Sequence, residues 1–291
     1  MTLGAFGAAA QDLEPRAYTN TPVGMNFAIA GYAWSSGEVT TDSSIPLEDG
    51  RVRIHAAVLA YARSLDLFGK SGKIDVIVPY AWESGSATFA GQPMSRSVRG
   101  QGDPRVRLSI NLYGAPALTR EEYAEYRQDL IVGASLQLAA PLGQYDEPRL
   151  LNVGSNRWAF KPEIGISKNL DPLILELSLA GTFYTDNRDF LGEKLREQDP
   201  VYAAQLHAIY AFRNGIWGAL DATYYRGGES SIDGTANHDL QSNTRAGATL
   251  ALPLDRHNSL KLFASHGVSV RFGGRYNTIG AAWQVRWGGG P

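Results

Sequence analysis

The chain has 291 residues, 44% of them hydrophobic, with no cysteine and a formal net charge of −2. The missing cysteine excludes a disulfide framework, a thiolate metal site and thiol chemistry, and the near-neutral charge offers no footprint for nucleic acid. The longest purely apolar run outside glycine, Ala56 to Ala62, is far short of the ~20 residues a spanning helix requires, so any crossing of a membrane must be made with strands.

Residues 1–10 are small and apolar and end in Gly7-Ala8-Ala9-Ala10. They resemble the tail of a secretory signal without its charged start; a plain apolar N-terminus is the alternative. On the signal reading the exported chain begins near Gln11. Residues 11–25 form a polar, proline-bearing arm containing Asp12, Glu14 and Arg16, too irregular for a strand.

From there the chain repeats one motif, a stretch of about ten residues in which every second side chain is apolar. Leu173, Leu175, Leu177 and Leu179 alternate with Glu176, Ser178 and Ala180, and Val106, Leu108, Ile110 and Leu112 do the same between Arg105, Arg107, Ser109 and Asn111. Twelve such strands are predicted, at 26–36, 51–65, 73–83, 104–113, 129–140, 158–168, 173–184, 202–212, 216–226, 243–252, 259–266 and 276–287. Tight turns such as Asn169-Leu170-Asp171-Pro172 and Arg213-Asn214-Gly215 alternate with long polar loops such as Gly85 to Gln101. Period-two alternation, an even strand count, short turns at one rim and long loops at the other predict an all-β fold, a transmembrane antiparallel up-and-down β-barrel. One connection on the short-turn, periplasmic side, Ala117 to Gln128, carries a capping box, Thr119 with Glu122, and is predicted as a short helix. The barrel takes residues 26–287 and leaves a tail at 288–291.

Aromatic residues sort accordingly. On the outward parity, Tyr80, Trp82, Trp158, Phe160, Phe183, Tyr202 and Tyr224 lie at strand ends next to long loops, and Phe212 and Trp287 at the opposite ends, as two interfacial girdles require. The last strand sets Ile279, Ala281, Trp283, Val285 and Trp287 on one face, a terminal strand of the kind that barrel assembly machinery recognises. The first strand is ambiguous: Phe27, Ile29 and Ala33 compete with Tyr32 and Trp34 for the lipid face. Trp217 falls on the lumen side.

The inward parity is unusually charged. It is assigned Arg51, Arg53, Tyr61, Arg63, Asp75, Arg105, Arg107, Lys161, Glu163, His207, Asp221, Tyr225, Arg245 and Arg286, with basic groups outnumbering acidic ones. A basic pore wall favours anions. Arg63 with Asp75 and His207 with Asp221 are also readable as cross-strand pairs that fix register. The two Arg-x-Arg repeats, Arg51/Arg53 and Arg105/Arg107, lack such partners and are the candidate selectivity element, with Tyr61 and Tyr225 available to stack on rings. Asp12 and Glu14 complement that wall, so the arm is a candidate gating plug.

Catalysis and metal binding find little support. Ser265 and His266 are adjacent on one strand and point to opposite faces. His207 with Asp221 supplies a base and an orienting group but no placed nucleophile. The five histidines have no ligand spacing, and no cofactor motif is present.

Several phrases carry a resemblance: Asp12 to Tyr18, Leu59-Ala60-Tyr61, Asp75-Val76-Ile77-Val78-Pro79-Tyr80, Gly102-Asp103-Pro104-Arg105, Ala140 to Tyr145, Asn156 to Glu163, and the ending Trp283 to Gly290. Together they resemble the family described as the MetA-pathway of phenol degradation, from Gln11 to the end. The resemblance implies a Gram-negative outer-membrane barrel among lipid and lipopolysaccharide, passing aromatic or other hydrophobic compounds, with no catalytic residues. The expectation is a passive channel for small aromatic or anionic organic molecules; a closed structural or adhesive barrel is the alternative, and a membrane hydrolase a further one.

Overall fold

The computed structural model describes residues 14–40, 47–89 and 91–289. The apolar residues 1–10 and Asp12 therefore lie outside the described residues. Seventeen strands are present among them: β1 (Met25–Thr40), β2 (Leu47–Leu67), β3 (Lys70–Phe89), β4 (Gln92–Gln101), β5 (Arg105–Tyr113), β6 (Leu130–Ala139), β7 (Ala159–Leu170), β8 (Leu173–Tyr184), β9 (Asn187–Phe190), β10 (Lys194–Gln198), β11 (Val201–Ala211), β12 (Trp217–Gly227), β13 (Ser230–Ile232), β14 (Thr235–Ala236), β15 (Gln241–Pro253), β16 (Asn258–Ser269) and β17 (Gly273–Gly288).

The antiparallel ladder runs β2-β1-β17-β16-β15-β12-β11-β8-β7-β6-β5-β3 and closes through β2 with β3. β4 pairs with the upper part of β3 and β5 with the lower part, so these two strands share one stave, broken at Gly102-Asp103-Pro104. The barrel thus has twelve staves, each falling on one of the predicted segments. β9, β10, β13 and β14 form a separate small sheet at the long-loop end, where the sequence showed only polar loops.

Closure pairs each stave on both sides across the membrane-spanning part of the barrel, and apolar side chains then face the hydrocarbon. Leu175, Leu177 and Leu179 are exposed on the outer wall while Ile174, Glu176 and Ser178 are buried inside. Trp82, Trp158, Phe183, Tyr202 and Tyr224 form the upper girdle, and Phe212 and Trp287 the lower. On β1, Tyr32 is exposed outside, and the register pairs Phe27, Ile29 and Ala33 with the lumen parity of β17.

The first staves are longer than predicted. β2 has 21 residues and β3 has 20, whereas crossing the membrane takes ~9–11. Their upper parts stand above the bilayer and enclose an apolar cluster of Val39, Val52, Ile54 and Ala81 with Val153. Val153 comes from the loop between β6 and β7, which folds inward over the barrel and is pinned by Asp103, the acceptor of hydrogen bonds from the Gly143 and Ser155 amides at 2.9 and 2.8 Å.

That cluster overturns one parity assignment. Val52 and Ile54 point inward, so Arg51, Arg53, Tyr61 and Arg63 point out, with Leu59 of the same face 66% exposed. The evenly apolar face of β2 was assigned to lipid, but above and below the bilayer the oil-facing rule has no force, and the small or branched residues fill the interior. The predicted pair Arg63–Asp75 does not form: Arg63 stands opposite Ile74, and Asp75 opposite Ala62.

On the periplasmic side, helix α1 (Arg120–Glu125) is shorter than predicted but starts at the expected capping box, with reciprocal Thr119 and Glu122 contacts. The Thr119 backbone N–H and hydroxyl hold the Glu122 carboxyl below its ordinary pKa. Of the C-terminal tail, Gly289 is described and its amide donates to the Gly24 carbonyl at 3.1 Å.

Candidate functional site

The arm from Glu14 to Gly24 enters the lumen from the periplasmic end, where several polar contacts anchor it. The Val23 amide donates to the Leu118 carbonyl at 2.8 Å and Asn20 Nδ2 to the Pro116 carbonyl at 3.2 Å, while Tyr123 of α1 donates its hydroxyl to the Asn20 carbonyl. Higher up, Tyr18 is buried between β6 and β7. Gly133 and Gly165 stand directly opposite each other there, and a Cβ on either would lie 2.1 or 2.3 Å from a Tyr18 ring atom. The two bare backbones form a slot that only glycine allows. At its end the Tyr18 hydroxyl donates to Glu163 Oε1 at 3.0 Å, and Lys161 lies 3.5 Å from the other carboxylate oxygen.

The charges of the arm meet opposite or aromatic groups on the wall. Glu14 pairs with Arg107, whose Nε also donates to Asp75 Oδ2 at 3.0 Å, and Lys73 lies 3.7 Å from Asp75 Oδ1. The Arg16 backbone N–H donates to Glu176 Oε2 at 2.7 Å, and its guanidinium lies over the Trp217 ring at 5.5 Å, a cation–π contact that confirms Trp217 on the lumen side. Between arm and wall remains a narrow polar cleft, lined by Glu14, Tyr18, Arg107, Gln137, Lys161 and His207 among others.

Of the sequence-assigned lumen residues, Asp75, Arg105, Arg107, Lys161, Glu163, His207, Asp221, Tyr225 and Arg245 are inside. Arg286 keeps the lumen parity at the periplasmic rim, where it donates to the Arg256 carbonyl at 2.9 Å. Arg51, Arg53, Tyr61 and Arg63 are outside, as set out above. His207 and Asp221 form the expected cross-strand pair, Nδ1 to Oδ1 at 2.7 Å. The hydroxyl of this network, Thr249 Oγ1, donates to the other Asp221 oxygen at 3.1 Å, so it supports the carboxylate and is not set as a nucleophile against the imidazole. Arg245 donates to Ser265 Oγ at 3.0 Å and to the Tyr276 carbonyl at 3.2 Å. Tyr225 packs with Val201, Ala203 and Tyr184 and accepts from Asn243 at 3.2 Å.

Sequence reasoning missed the glycine slot for Tyr18. Two glycines at lumen parity on adjoining strands were its signal, legible only once β6 and β7 were paired in register.

Residues 35–287 match the family model for the MetA-pathway of phenol degradation. The chain belongs to that family. No curated protein sequence matches it. Among solved structures, this family member is similar to an outer membrane channel from Pseudomonas putida F1, with 23% identity over 95% of this chain and 100% of that one and a TM-score of 0.80. It is similar also to the transport unit of the autotransporter AIDA-I from Escherichia coli, with 8% identity, coverage of 96% and 94%, and a TM-score of 0.58. Identities this low establish the shared barrel fold. Together with the greasy outer belt and two aromatic girdles, that fold places this member of the phenol-degradation family in the outer membrane of a Gram-negative bacterium.

Proposed function

We propose that the chain is an outer-membrane channel that admits small organic molecules, anionic or aromatic, by passive diffusion. The observation that carries this reading is the inner wall, where charge, amides and hydroxyls face the arm and a narrow polar cleft instead of a packed apolar core. Arg105, Arg107, Lys161 and Arg245 give that wall the sign that attracts carboxylates and phenolates. Support comes also from the similar P. putida structure, described as an outer membrane channel. The arm acts as a gating plug: its contacts are mostly polar and reversible, and releasing it widens the path. In this reading the barrel is a conduit and performs no catalysis, and the aromatic-bearing last strand serves the assembly machinery.

Swelling of proteoliposomes tests the proposal. Benzoate is expected to enter faster than benzylammonium of the same size, and faster still when residues 14–22 are removed. Absence of swelling with the arm removed, or preference for the cation, contradicts it.

A further inference from the structure

The arginines that leave the lumen set gather on the outside of the barrel. Arg51 and Arg53 are two residues apart on the outer face of β2, and the register places Arg53 beside Ser84 of β3, itself beside Ser97 of β4. One row lower stand His55, Trp82 and Arg99. Directly opposed residues project to the same side of a sheet, and with strands ~4.8 Å apart and i,i+2 spacings of ~6.6 Å the Arg53 Cα lies about 7 Å from that of Arg51 and about 12 Å from that of Arg99, with Arg51 and Arg99 about 16 Å apart. All three are exposed, and none has a carboxylate partner among the described residues. Glu38 of β1 stands opposite Arg51 but is flanked on its other side by Arg275 of β17, and Glu48 and Asp49 are exposed at the upper margin of β2, so the positive sign is strongest at Arg53 and Arg99.

Depth identifies the occupant. Beneath Arg51 and Arg53, and beginning level with Arg99, lies the upper girdle, where the Tyr80 and Trp82 rings are 4.7 Å apart and Tyr32 bonds His55 Nδ1 at 2.6 Å. Below the girdle the same face carries Leu59 and Val78, both bare to the bilayer. A single vertical track on the outer wall thus runs from hydrocarbon through aromatic rings to guanidinium and serine hydroxyls. That order matches an amphiphile with phosphate set directly above its acyl chains. Guanidinium forks bind phosphate oxygens bidentately, and the serines offer further donors. We propose that Arg51, Arg53 and Arg99 clamp a phosphate of the phosphorylated glycolipid of the outer leaflet, lipid A, against β2–β4. The inference rests on the outer-membrane placement and is independent of transport.

Native mass spectrometry of the full chain in detergent tests it, with titrations of bisphosphorylated lipid A, enzymatically dephosphorylated lipid A, phosphatidylglycerol and inorganic phosphate. The bisphosphorylated lipid is expected to bind roughly tenfold more tightly than either other lipid, and inorganic phosphate at equal concentration is expected not to displace it. The combined variant Arg51→Gln, Arg53→Gln, Arg99→Gln loses that advantage, while Arg213→Gln with Arg256→Gln, in the periplasmic turns, retains it. Equal binding of the dephosphorylated lipid or of phosphatidylglycerol, or displacement by inorganic phosphate, overturns the proposal, and this comparison needs only the wild-type protein. A wild-type chain that binds the lipid selectively but conducts nothing refutes the channel and leaves the clamp standing.

Discussion

The glycine slot offers a sharp test of how the arm is held. Replacing Gly165 with Ala puts a methyl carbon 2.3 Å from one Tyr18 ring atom and 2.8 Å from the next, so ring and methyl cannot coexist and the ring must leave. Tyr18 is 6% exposed. An aromatic side chain buries ~150–250 Å², equivalent at ~25 cal/mol per Å² to about 4–6 kcal/mol as an upper bound. Losing half of that, about 2–3 kcal/mol, weakens docking of the arm roughly 30- to 150-fold. The native chain has no cysteine, so Ala17→Cys introduces a unique thiol beside Tyr18. Maleimide labelling of that thiol in liposomes is expected to accelerate by this order in the Gly165→Ala background, with single-channel conductance rising in parallel. If both stay at their Gly165 values while the barrel remains folded by gel mobility, the slot does not hold the arm and the reasoning fails.

Three further outcomes follow from the geometry. Leu59→Arg places a charge among the acyl chains and is expected to destabilise the barrel by ~2–4 kcal/mol in urea unfolding from lipid vesicles; no loss would return that face of β2 to the lumen. Asp221→Asn removes the carboxylate bonded to buried His207 and is expected to cost ~1–3 kcal/mol, seen as a lower temperature of the heat-modified gel shift. Arg107→Gln gives up its contacts with Glu14 and Asp75, so the reversal potential should shift toward lower anion preference while labelling of the thiol introduced by Ala17→Cys accelerates. A variant with unchanged selectivity and labelling would remove Arg107 from both roles.

Much of the barrel was legible because hydrocarbon imposes a strict rule on one face of each strand. Between the girdles the rule held at Leu175, Leu177 and Leu179, and the aromatic bands located its limits. It failed on β2, whose 21 residues extend past both interfaces. There Val52 and Ile54 pack inward on Val153, and water outside accepts Arg51 and Arg53. The inward-folded loop carrying Val153 and the small sheet of β9, β10, β13 and β14 left no periodic signal, since their packing depends on partners distant in sequence. Pairing of Glu14 with the basic wall was legible from charge alone, and the structure brings it to Arg107. The partner of Arg16 was not: its guanidinium meets the Trp217 ring while its backbone amide meets Glu176.

The reversal potential of single channels in a planar bilayer under a salt gradient, measured with and without residues 14–22, tests most directly whether a basic lumen is occupied by its own arm. The expected result is anion preference in both forms with larger conductance in the shortened one. Cation preference, or silence after the arm is removed, would contradict it.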